Sequence, residues 1–67
     1  MNDQLTDKQE RVCRLVHAGL QNHEIAEELG ISKNTVISYL IQIRLKLGLD
    51  HRLAIALWYE RNRASKS

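Results

Sequence analysis

Sixty-seven residues carrying a formal net charge of +2, one cysteine and no proline leave room for one small domain with no disulfide framework. A chain this short buries only about 60% of its unfolded surface, so its core is marginal. No apolar run approaches the ~18 residues of a membrane span, and MNDQLTDK is too polar for a signal peptide, which points to a reducing cytoplasm and no membrane partner.

The first predicted helix runs from about Asp7 to Ala18. Thr6 is its N-cap, and Gln9 stands three residues on, the spacing of a capping box. Asp7 lies in the first turn, where the dipole favours an acid. Val12, Leu15 and Val16 make the inward stripe with Cys13 beside them, so the thiol reads as a small core residue. Gly19 stops the helix and Leu20 tucks back against it.

Residues 21 to 47 read as a short helix, a tight turn and a longer helix. Asn22 is the expected cap of the helix Asn22 to Leu29, with Glu24 favouring its positive end. Gly30 supplies a left-handed stop, Ile31 plugs the turn and Ser32 caps the next helix, about Lys33 to Leu47. Ile25, Ala26 and Leu29 mark one face; Val36, Leu40, Ile43 and Leu47 mark the facing one. Ala26 is small where two helices cross. This is the pattern of a helix-turn-helix, whose second helix commonly enters the DNA major groove, although an ordinary packed helical pair shares it.

Gly48 ends the long helix, and Asp50 is the expected cap of a fourth, about His51 to Asn62. Seven apolar residues follow one another from Leu53 to Tyr59. One face should pack on the core and the other should meet a second copy or another protein. MNDQ and RASKS read as frayed ends. Charge is uneven: residues 1–32 hold three cations against six carboxylates, and residues 33–67 hold seven against two. The basic half begins at the candidate recognition helix, which suits a polyanion approached from one side.

The order L-T-x-x-Q-x-x-V-x-x-L-V-x-x-G-L-x-N-x-E-I-A-x-x-L-x-I-S-x-x-T-V, then I-x-x-K-L-G-L-x-x-R, spans Leu5 to Arg52 without gaps. It resembles the LuxR/GerE-type DNA-binding domain of bacterial transcription regulators, and the likeness extends to about Tyr59. The resemblance implies an all-α four-helix bundle with a central helix-turn-helix, one domain over residues 1–67 with its core at about 5–62. It also implies DNA binding through the third helix and a homodimer through the fourth. Most members carry a further receiver or ligand-binding domain, so the chain is expected to be a stand-alone regulator or an excised effector domain. Two positions depart from the family. Ile37 stands where Lys or Arg is usual, and Ile41 where a polar residue is usual. With Leu45 they share an i, i+4, i+8 line away from the core face. Tyr39 for a frequent His is a milder change.

Contacts then divide by chemistry. Lys33, Thr35, Tyr39, Arg44 and Lys46 are expected at phosphates; Asn34, Ser38 and Gln42 at base edges; Ile37 and Ile41 against thymine methyls. Ala54, Trp58 and Arg61 form the expected dimer line. The competing reading is a protein-binding module whose stripe Ile37/Ile41/Leu45 docks on another regulatory protein. Catalysis is not expected. His17, His23 and His51 are scattered at exposed or capping positions, no Cys/His pair has zinc spacing, and Gly19, Gly30 and Gly48 are single helix stops. No cofactor or metal is expected.

Overall fold

The computed structural model describes residues 5–64, apart from the Ala64 side chain, so the ends expected to fray fall largely outside it. Its described residues form four helices: α1 Asp7–His17, α2 Asn22–Leu29, α3 Lys33–Leu47 and α4 Arg52–Ala64.

Local chemistry sets most of the boundaries. At α1, Thr6 Oγ1 accepts the Gln9 N–H at 3.2 Å, and Gln9 Oε1 accepts the Thr6 N–H at 3.1 Å. The helix ends one residue before the expected Ala18, which is its C-cap; the Leu20 N–H then closes on the Leu15 carbonyl at 3.1 Å. At α3, Ser32 Oγ accepts the Thr35 N–H at 3.1 Å. Gly30 and Gly48 each take φ +68°, the left-handed conformation that ends α2 and α3.

Two expected caps are corrected. Gln21, not Asn22, is the N-cap of α2, and its N–H donates to Glu24 Oε1 at 2.7 Å. Asn22 is already helical. Its Oδ1 accepts from Arg52 Nη1 at 2.6 Å, while Arg52 Nη2 donates to the Leu20 carbonyl at 2.5 Å. A guanidinium thirty residues away is a stronger donor than a helix-end N–H, so it takes the amide oxygen. The fourth helix is Arg52–Ala64 rather than His51 to Asn62, and Asp50 does not cap it. The Ala54 N–H meets His51 Nδ1 at 3.2 Å and the His51 carbonyl at 3.1 Å. Ala54 is the third helical residue, and His51 alone stands three residues before it.

Helix α1 touches all three others, whereas the backbones of α2 and α4 stay apart and the Arg52–Asn22 bond reaches between them. The core is Val12, Cys13, Leu15 and Val16 of α1, Ile25 and Ala26 of α2, Val36 and Ile43 of α3, and Ile55 of α4. Leu29, Leu40 and Leu47 lie half-buried at its margin. Burial pushes the Cys13 thiol up to about 12, with the Glu10 carboxylate adding to the effect, so it stays protonated and inert at neutral pH. Helix α3 rests on α1, α2 and, to a lesser extent, α4 by one side and leaves the other open.

Candidate functional site

A helix turns 100° per residue, so Asn34, Ser38, Ile41 and Leu45 fall opposite Val36, Ile43 and Leu47, and Ile37 lies at the edge of that outward set. All five are exposed, Ile37 by 37%, Ile41 by 49% and Leu45 by 78%. The aliphatic line is therefore a real surface feature in the middle of the open side of α3. No carboxylate occurs between Glu28 and Asp50. Exposed Lys33 and Arg44 border the line on one flank.

On the other flank Gln42 and Lys46 are tied to α1. Gln9 is 4% exposed, and its Nε2 donates to Gln42 Oε1 at 2.9 Å. Its Oε1 accepts from Lys46 Nζ at 3.1 Å. Thr35 and Tyr39 are half-buried. The Thr35 hydroxyl lies 2.9 Å from that of Ser32, and Tyr39 packs on the core beside a hollow of about 90 Å³ lined also by Lys8 and Arg11. The ten expected DNA-facing residues thus form an outward set, two flanks and a half-buried pair. A larger cleft of about 420 Å³ opens beside the N-terminal end of α2, lined by Gln21, Asn22, His23, Lys33 and Arg52 among others.

Helix α4 buries Ile55 and leaves Leu53 and Leu57 exposed by 63% and 53%. Of the expected dimer line, Arg61 is exposed, Ala54 is half-buried, and Trp58 is half-buried against the core. Beside this surface Glu60 Oε1 lies 2.6 Å from His17 Nε2 and 3.7 Å from Arg63 Nη1. The His17 and Tyr59 rings stand 5.3 Å apart. Among the described residues no group of His, Cys, Asp and Glu could hold a metal ion, and no helix is long and apolar enough to cross a membrane.

Sequence reasoning missed three roles. Gln9 was legible only as a cap, although its place on the stripe with Val12 and Val16 marked it as inward. Leu53 and Leu57 stand four apart in the apolar run, opposite Ile55, and that spacing could have found them. No local pattern marks the bond from Arg52 to Asn22.

The model of the luxR family of bacterial regulatory proteins matches residues 3–59. Among curated proteins, the chain is 43% identical over 53 residues to the two-component response regulator PprB of Pseudomonas aeruginosa, covering 79% of this chain and 19% of that protein. It is 39% identical over 62 residues to a nitrate/nitrite response regulator homologue of Haemophilus influenzae, covering 91% of this chain and 30% of that one. A putative HTH-type transcriptional regulator of Mycobacterium tuberculosis is 41% identical over 51 residues, 76% of this chain and 6% of its own length. The chain thus spans less than a third of the length of these relatives. No solved structure matches it. With the family model covering most of its length, the four-helix chain belongs to the luxR family of bacterial regulatory proteins, whose DNA-binding domains act in transcription regulation.

Proposed function

We propose that the chain binds double-stranded DNA sequence-specifically as a transcription regulator, seating α3 in the major groove and pairing as a homodimer through α4. The single observation that carries this reading is the open side of α3: exposed, free of carboxylates and bordered by Lys33 and Arg44. Lys33, Arg44 and Lys46, with the Thr35 and Tyr39 hydroxyls at the flanks, hold phosphates. Asn34, Ser38 and Gln42 meet base edges, and Ile37 and Ile41 press on thymine methyls. On α4, Ala54, Trp58 and Arg61 join Leu53 and Leu57 against a second copy, which sets two recognition helices about one DNA turn apart. The chain works as one domain, in the cytoplasm and without a cofactor.

Duplex binding followed by fluorescence anisotropy at rising salt tests it. Affinity for a random 20-base-pair duplex pool should fall steeply with salt, and Arg44→Ala should lower the slope by roughly one unit. A complex indifferent to salt would sink the reading. The 78% exposure of Leu45 favours a second one, in which Ile37, Ile41 and Leu45 dock on another regulatory protein. That complex should persist at high salt and be lost in Ile41→Asp.

A further inference from the structure

Gln9 is nearly sealed from solvent, so its amide orientation is set by its partners. Its Oε1 faces the Thr6 N–H at 3.1 Å and the Lys46 ammonium at 3.1 Å. Both partners can only donate, so the oxygen must be on their side. The Gln9 nitrogen is thereby turned to Gln42, 2.9 Å from its Oε1. An N–H needs an acceptor, so the Gln42 oxygen is committed inward and its NH2 points away from the protein. Gln42 itself is exposed, one turn from Ser38 at the edge of the open side of α3.

We propose that Gln9 locks Gln42 as a pure hydrogen-bond donor, so that Gln42 selects a keto base, guanine or thymine, in the major groove. This rests on the DNA-binding reading above. A free glutamine pairs with adenine by using its oxygen and nitrogen together, to N6 and N7. With its oxygen turned inward to Gln9, Gln42 presents its N–H groups to the groove. In the major groove the keto bases present an oxygen, O6 of guanine or O4 of thymine, and the amino bases present N6–H2 of adenine or N4–H2 of cytosine. A donor facing cytosine meets only another donor, and at adenine it finds N7 alone beside the repelling N6–H2, where guanine offers N7 and O6 and thymine offers O4, which disfavours both amino bases. Gln9 is thus a positioning residue: it touches no DNA and acts through the side chain it orients.

The test is Gln9→Glu. A carboxylate still accepts from the Thr6 N–H and from Lys46, and Glu serves a capping box as well as Gln does, so α1 is retained. It cannot donate, so Gln42 must turn its nitrogen inward and its oxygen outward. Sites are selected from a random 20-base-pair duplex pool by the parent, Gln9→Glu, Gln42→Ala and the double variant, each checked for helicity by circular dichroism. The parent should enrich guanine or thymine at one strand position, and which of the two dominates identifies the source of the oxygen. Gln42→Ala should lose preference at that position alone. Gln9→Glu should shift it to adenine or cytosine, by roughly two- to tenfold. In the Gln42→Ala background the Gln9 change should add nothing there. Gln42→Glu, an acceptor however it turns, should copy Gln9→Glu. A Gln9→Glu protein that keeps the parent's base, or a double variant that shifts it, overturns the inference. So does a selected site that Gln42→Ala leaves unchanged, although DNA binding then stands. A parent that enriches no sequence overturns both.

Discussion

The open sides of α3 and α4 both carry aliphatic side chains, and they differ in what surrounds them. Ile37, Ile41 and Leu45 lie in a field of cations and amides with no carboxylate between Glu28 and Asp50. Leu53 and Leu57 lie beside Glu60, itself close to His17 and Arg63, and beside exposed Arg61. Apolar exposure alone names no partner; the frame of charge does. A one-sign cationic frame repels its own copy and suits a polyanion. A mixed frame can meet itself across a two-fold axis, where an acid of one copy faces a base of the other.

The largest expected effect separates the inward from the outward side of α3. Ile43 is fully buried, and Ile43→Ala should cost ~2–5 kcal/mol, most of what so small a domain has. Ile41→Ala, on the exposed line, should shift stability by no more than about 0.5 kcal/mol. Thermal melts that rank the two equally would break the distinction between core face and open face.

Next comes the contrast on α4. Leu57→Asp should give monomers by sedimentation with the helical circular dichroism intact. Trp58→Asp puts a charge against the core and should instead lower the melting temperature sharply. If Leu57→Asp leaves a dimer in place, the outward leucines are not the interface.

A smaller change sharpens the role of the cationic frame. Ile37→Lys adds one more cation to α3, where the family usually has one. It should hold or raise duplex affinity and relax any preference for thymine. It should abolish a protein complex, because a charge would then enter a dry interface. Unchanged duplex binding together with loss of a specific protein partner would reverse the assignment.

The smallest effect is at Cys13. Its folded thiol titrates at about 12, above the ~8.5 of an unfolded one, so the unfolded chain loses its proton first. The contribution is whole below about pH 8.5 and disappears as pH rises from there toward 12. The melting advantage of the parent over Cys13→Ala should therefore shrink between pH 7 and pH 10. A constant difference would mean that the thiol is not sealed in the core.

The four helices, the bounds of α2 and α3, the inward stripes and the exposed line on α3 are legible in the residues alone. Those depend on neighbours three or four residues apart: Ser32 with Thr35, Thr6 with Gln9, glycines at the ends, apolar residues at helical spacing. What the polar side chains do depends on how the helices pack. Asn22 looked like a cap until Arg52 came within 2.6 Å, and Gln9 looked like a cap and nothing more until Gln42 and Lys46 reached it. Trp58 stands on its helical line, and the packing adds that it is half-buried against the core while Leu53 and Leu57 take the open side. The physical reason is range. Helix capping and periodicity are settled within one turn, whereas a buried amide or a half-buried guanidinium takes its partner from whichever segment folding brings beside it, thirty or more residues away.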